Sequence, residues 1–384
     1  MQRNFFLTDL MKTGEHGRYE RFLDTHTLPN QTIEYTGEYY TLHAYDLDSY
    51  DRRFALIDRR IHNDRLVGNS EYSSELMRRV KLLHSQGFKF ILATPWESIE
   101  NIKTKSFIRY GNSMDKKMDY SKEFKNSMGK KVLIPERIDE VQTFEWTGGT
   151  SWFWFYMYEK HLNNKFKFTH DHFGSYWYKK HDFLYLNKQP REHRVKLYNK
   201  LLEENVLSDS LYTFLGLEPP VRLDKKHELP WVDANNYPMM GMDQDITEQP
   251  YVDTVCSIVS ETNDNDTEVF MTEKIWKPIM AQQVFVVHGN HLYLQKLREI
   301  GFKTFGSYFD ESYDLEHDRD KKIDAIVSLC KDLKTKDWRD IYSQTIALRQ
   351  HNCDTLFNKE KLSEQVNKTL ISFLEFFDSS QVSS

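Results

Sequence analysis

The stretch "VFMTEKIWKPIMAQQVFVVHG", residues 269–289, contains two structural elements. Thr272 stands where a helix cap belongs, and Ile275 and Ile279 recur at the spacing of one helix face. Pro278 removes a main-chain donor, so the helix should be short or kinked. The apolar run Val284-Phe285-Val286-Val287 has no polar alternation, as expected of a strand buried on both faces. Glu273 suits the positive end of a helix, whereas Lys274 is a mildly misplaced cation there. On these residues alone the pair reads either as a helix-start salt bridge or as a carboxylate and an ammonium awaiting a charged ligand.

The same alternation recurs on either side. "DFLYLN" reads as a strand, "KQP" as a turn, and "REHRVKLYNKLLEEN" as a helix with Val195, Tyr198, Leu201 and Leu202 on its apolar face. Pro190 suits that helix's first turn. "TVCSIVSE" (254–261) is another strand, and "HLYLQKLREI" is a helix stopped by Gly301. Near the N-terminus, Leu76, Val80 and Leu83 mark a helix face, Gly87 ends the helix, and "FKFILA" (88–93) is a buried strand. Its C-terminal loop, "TPWESIEN" (94–101), lies where open parallel sheets bind ligands. Strands alternating with helices imply an α/β fold with parallel, helix-covered sheets. Element order suggests residues 1–180 and 181–318 as two α/β domains, and 319–384 as a helical C-terminal segment.

The 384 residues suffice for two or three domains. A net charge of −6 gives no global attraction to nucleic acid or anionic membrane. Three widely spaced cysteines, Cys256, Cys330 and Cys353, suggest neither a disulfide framework nor a zinc site, which fits a reduced, cytoplasmic setting. No signal peptide or membrane span is expected. Residues 103–131 carry nine Lys/Arg against three Asp/Glu, a local charge of +6, and read as a polar insertion. "TGGTSWFWFYMYEKHL" (147–162) reads as a turn and an aromatic helix whose rings belong to a core.

Arg191 and Arg194 fall in the first turn of the helix after Pro190. Two cations at a positive helix end make sense if an anion docks there, held by free N–H groups and guanidinium forks. Surface arginines facing water are an equal alternative on geometry alone. "HDH" (170–172), "DQD" (243–245), "DND" (264–266) and "DRD" (318–320) have metal-ligand residue types. Such triplets arise easily among 58 acidic residues, and no metal or other cofactor is expected.

The segment "FMTEKIWKPIMAQQVFVVHG" resembles the donor-binding motif of α1,3-fucosyltransferase-like glycosyltransferases. "LNKQPREHRVKLYNKL" is similar to the opening strand and Arg-bearing helix of the same domain. "GFKTF" (301–305) with "ESYD" (311–314) matches phage- and virus-type enzymes of this sort. The resemblance covers residues 182–318. It implies a GT-B architecture, two Rossmann-like domains facing a cleft, with a nucleotide-sugar bound mainly by the second. Carried over, Lys274 and Arg194 contact the diphosphate beside Arg191 and Thr272. Glu273 holds the ribose, and Phe270 lies beside the nucleotide. A carboxylate after a strand of the first domain acts as general base. The family's Gly-Glu-Asn is absent from "FILATPWESIEN", where Glu97 is preferred over Glu100.

The implied activity is metal-independent transfer of a sugar from a nucleotide-sugar to a glycan or other hydroxyl acceptor, by a phage-encoded enzyme acting in the host cytoplasm. One alternative acceptor is hydroxymethylated DNA, contacted by the basic insertion 103–131. A second alternative is a non-catalytic nucleotide- or glycan-binding protein.

Overall fold

A computed structural model of the protein describes residues 3–9, 31–36, 52–58, 82–83, 85–93, 124–125, 131–132, 143–146, 149–162, 166, 168–223, 246–264 and 269–365. The chain divides into two compact units, Met1–Trp152 with Ser363–Ser384, and Phe153–Leu362.

The first unit holds a five-stranded sheet. Its strands are β1 (Arg3–Asp9), β2 (Gln31–Thr36), β3 (Arg52–Asp58), β4 (Lys89–Ala93) and β7 (Thr143–Trp146). Their order is β2-β1-β3-β4-β7, and every pairing is parallel. β4 is the strand expected from "FKFILA". Before it, Gly87 takes a left-handed φ of +77°, which an L side chain rarely adopts. That bend lets Phe88 N–H donate to the Leu83 carbonyl at 3.0 Å. Within the basic insertion, β5 (Phe124–Lys125) and β6 (Lys131–Val132) pair antiparallel.

Helix α1 (Gly149–His161) carries the aromatic run, and Phe153, Trp154, Phe155, Tyr156 and Met157 are all buried. Trp154 packs 5.0 Å from Phe302 and 5.8 Å from Trp276, and its Nε1 donates to the Leu356 carbonyl at 2.8 Å. These aromatics are core, as their density in the sequence suggested.

The second unit contains α2 (His170–Gly174), β8 (His181–Asn187), α3 (Glu192–Glu203), β9 (Leu211–Phe214), α4 (Glu248–Asp253) and β10 (Thr254–Ser260). The opening stretch follows as α5 (Glu273–Met280) and β11 (Val284–His288), and then α6 (Tyr293–Glu299). α7 (Arg319–Thr335), α8 (Trp338–Gln344) and α9 (Ile346–Leu356) complete it. The four strands run parallel in the order β11-β10-β8-β9. Every residue of β10 and β11 is buried, which accounts for the apolar run Val284–Val287, while Thr254 and Ser257 of β10 are buried with their hydroxyls bonded to Gln283. α5 is eight residues long with Pro278 inside it, the short helix expected.

α7 lies against α3 through a column of surface ion pairs: Arg319 with Glu192, Lys196 with Asp320, Lys200 with Asp324 and Lys331 with Glu204. Exposed pairs of this kind add little stability individually. The apolar side of α7, with Ile323, Ile326, Val327, Cys330 and Leu333, supplies the burial. Deeper in, Arg349 donates to the carbonyls of Gln282 (2.7 Å), Tyr342 (2.7 Å) and Gly174 (3.1 Å) and stacks 3.8 Å over the Tyr342 ring. One buried guanidinium thus ties the turn before β11 to α2 and α8.

Candidate functional site at the ends of β8 and β10

From β8 the chain passes outward to β9, then returns across β8 to reach β10. The C-terminal ends of β8 and β10 therefore form a switch point, the place where open parallel sheets bind ligands. The loop after β8 leads to Arg191, His193 and Arg194. The loop after β10 carries Glu261, Thr262, Asn263 and Asp264, and the chain returns at Thr272 to start α5.

α3 begins at Glu192, two residues after Pro190, so Arg191 is its N-cap, in extended conformation (φ −72°, ψ 146°). Arg191 makes no side-chain cap. Its Nη1 crosses to the other loop and donates to the Thr262 carbonyl (2.6 Å) and Asn263 Oδ1 (3.2 Å). Arg194, 4% exposed, turns Nε (3.3 Å) and Nη2 (2.9 Å) onto the Glu261 carbonyl. Its Nη1 has no hydrogen-bond partner among the described residues. Burial first, then the charge of Arg191, lowers the Arg194 pKa, against the pull of Glu261.

Thr272 caps α5, its Oγ1 accepting from Lys274 N–H at 3.5 Å. Lys274 Nζ donates to Glu273 Oε1 (2.6 Å), Thr272 Oγ1 (3.0 Å) and Thr262 Oγ1 (3.2 Å). The Glu273 and Lys274 side chains stay 13% and 25% exposed, so the ion pair reaches solvent. Burial alone would raise the Glu273 pKa, but Lys274 and Lys277 outweigh it and hold the carboxyl below its ordinary value.

Glu261 was not singled out from the sequence. It is fully buried, and its carboxylate accepts four hydrogen bonds. Oε1 takes Tyr293 OH (2.7 Å) and Thr272 N–H (3.1 Å), while Oε2 takes Thr272 Oγ1 (2.6 Å) and Thr262 N–H (3.2 Å). It follows a parallel strand at its C-terminal end, so the positional rule that drew attention to 94–101 points equally to this residue. Gly289 is part of the same construction, because a Cβ there would meet Tyr293 Cδ2 at 2.7 Å.

Beside Arg194, His193 approaches the Glu261 carbonyl (Nε2, 3.1 Å) and Asp264 Oδ1 (Nδ1, 3.4 Å). Asp264 also pairs with Arg319 at 2.5 Å. The His193 ring lies 5.4 Å from that of His288, which is fully buried and whose ring nitrogens have no hydrogen-bond partner among the described residues. Burial depresses both histidines' pKa values, and for His288 the His193, Lys322, Arg319 and Arg194 charges add to it.

Thus Arg191, Arg194, Thr272, Glu273 and Lys274 come together at one sheet end. Phe270 is buried near the same motif and packs edge-on against Phe153 at 5.7 Å. Glu97 and Glu100 lie outside the described residues. So do residues 243–245 and 265–266 of the acidic triplets. Asp318 caps α7 and Asp320 pairs with Lys196. His170 meets Gln282 (3.0 Å) and His172 meets Thr169 (2.7 Å). Among the described residues no group of three or more His, Cys, Asp or Glu is placed to hold a metal ion. The "GFKTF" and "ESYD" pieces have structural work: Glu311 accepts from Phe305 N–H and Thr304 Oγ1 (both 2.7 Å), and Asp314 caps α6 through Leu294 N–H (2.9 Å) and Gln295 N–H (3.0 Å).

No protein-family model and no curated protein sequence matches the chain. Among solved structures, one described as a crystal structure of α1,3-fucosyltransferase matches with a TM-score of 0.40 and 10% identity, over 96% of this chain and 90% of that one. At that level of likeness neither fold nor activity transfers from that protein to this chain. Among the described residues no helix is long and apolar enough to cross a membrane.

Proposed function

We propose that the protein is a glycosyltransferase that moves a sugar from a nucleotide-sugar to a hydroxyl acceptor, with the donor's diphosphate at the ends of β8 and β10. The observation that carries this reading is Thr262, whose carbonyl takes Arg191 and whose hydroxyl takes Lys274. Cations from two different helix starts meet on one residue at the point where strand order reverses. Gathering Arg191, Arg194 and Lys274 beside two helix N-termini is unfavourable in isolation, and a bound diphosphate offsets those repulsions by its attraction to each cation and to the helix N–H groups. The resemblance of "FMTEKIWKPIMAQQVFVVHG" to a donor-binding motif points to the same ligand.

In this reading Lys274 and Arg194 contact the diphosphate, Glu273 accepts the ribose hydroxyls, and Phe270 borders the nucleotide. Glu97 removes the proton from the acceptor hydroxyl, whose oxygen attacks the anomeric carbon as the bond to the diphosphate breaks. The charge that builds on the leaving group is met by Lys274, Arg194 and the helix N–H groups, without a metal. The GT-B arrangement of two domains belongs to the same proposal.

A thermal-shift screen against GDP-, UDP-, CMP- and dTDP-sugars tests it. A donor at 100 times its dissociation constant adds about 2.7 kcal/mol, a rise of roughly 5–10 °C for a unit of this size. A flat response to the GDP-, UDP- and dTDP-sugars at millimolar concentration would sink the assignment, and the CMP-sugar, which carries a single phosphate, serves as the control.

A further inference from the structure

We propose that Glu261 is a positioning residue that registers the two cationic arms to one another, a role that rests on reading this sheet end as a diphosphate site. Its carboxylate holds Thr272 by both N–H and Oγ1, and Thr272 Oγ1 in turn contacts Lys274 Nζ. Its main-chain carbonyl holds Arg194 through Nε and Nη2. Between them, the two ends of one residue set the start of α5 relative to the first turn of α3. Glu261 has no ligand contact of its own, because it is fully buried and both oxygens already accept two hydrogen bonds. Four donors converge on this carboxyl group, so loss of an acceptor oxygen there leaves a buried donor unpaired and loosens Thr272.

Calorimetric binding of inorganic pyrophosphate, UDP and GDP to the full chain tests the role. Wild type, Lys274→Ala, Glu261→Gln and the double variant are compared. Losing a charge-assisted phosphate contact should weaken pyrophosphate binding about 10- to 100-fold in Lys274→Ala. Glu261→Gln should weaken it at least about tenfold although it touches no phosphate. The double variant should be no more than about threefold weaker than the worse single variant, because one residue acts through the other. A merely structural residue would leave the affinity of the folded protein unchanged.

Wild-type affinity in Glu261→Gln with loss in Lys274→Ala overturns the role of Glu261 and leaves the diphosphate reading standing. No binding of any of the three probes to wild type overturns both. Should Glu261→Gln fail to fold, Thr272→Val removes the side-chain half of the link from the other side at nearly equal volume, leaving the main-chain N–H bond in place. It should lose binding and Thr272→Ser should restore it, and wild-type affinity in Thr272→Val overturns the role.

Discussion

Replacing Glu261 by glutamine tests how tightly the site is built, because no orientation of the amide satisfies its surroundings. Oε1 faces Thr272 N–H and Oε2 faces Thr262 N–H, at 3.1 and 3.2 Å. Whichever side the NH2 occupies, it confronts a main-chain donor that cannot rotate away. The hydroxyls of Thr272 and Tyr293 can turn to accept, but the N–H groups cannot. At least one buried donor on each side of the clash loses its partner. At about 1–3 kcal/mol for each buried unsatisfied group, the substitution should cost about 2–6 kcal/mol. For a unit the size of Phe153–Leu362, that is a fall of roughly 4–24 °C in Tm. Glu261→Ala abandons all four donors and leaves a cavity, so it should cost more. Calorimetric or circular-dichroism melts in the absence of ligand provide the readout. A glutamine variant that melts within about 2 °C of wild type would refute the hydrogen-bond network described here.

Other outcomes follow from the same region. Burial keeps His288 neutral in the folded protein with its pKa below the ordinary value, so the unfolded chain binds the proton first on acidification. Stability from this group is complete above about pH 6.5 and declines as pH falls towards the depressed folded value, by at most about 1.4 kcal/mol per pH unit. In urea titrations from pH 7.5 to 5, His288→Phe should flatten that decline, and an unchanged slope would remove His288 as its source. Gly289→Ala should lower stability by about 1–3 kcal/mol through its clash with Tyr293, and by clearly less in a Tyr293→Leu background.

Four strands, β4, β8, β10 and β11, were legible in the sequence, whereas β1, β2, β3, β7 and β9 were not. Uninterrupted apolar runs such as Val284–Val287 arise only where a strand is covered on both sides, so period and composition agree for β8, β10 and β11. Helix starts were less legible. Pro190 suits a first helical turn, yet α3 begins two residues later, and only that shift puts Arg191 at the cap where it can reach Thr262. Arg191, Arg194, Thr272, Glu273 and Lys274 could be named because they form short local patterns. Their convergence depends on strand order, which local patterns do not encode. Glu261 shows the same gap: three of its four donors come from Thr272 and Tyr293, farther along the chain, and only its place at the end of a parallel strand marks it in the sequence. In "GFKTF" and "ESYD" the sequence does not show the structural role, in which Glu311 holds a turn and Asp314 caps α6.

Release of free nucleotide from a nucleotide-sugar in the absence of acceptor reports directly on leaving-group stabilisation at this site. The donor that most stabilises the protein is incubated with wild type and with Lys274→Ala, and free nucleotide is followed by chromatography. Wild type should release it slowly but measurably, and a Lys274→Ala variant that still melts cooperatively should do so about 10²- to 10³-fold more slowly. No release by wild type, or equal release by the two proteins, would contradict the assignment.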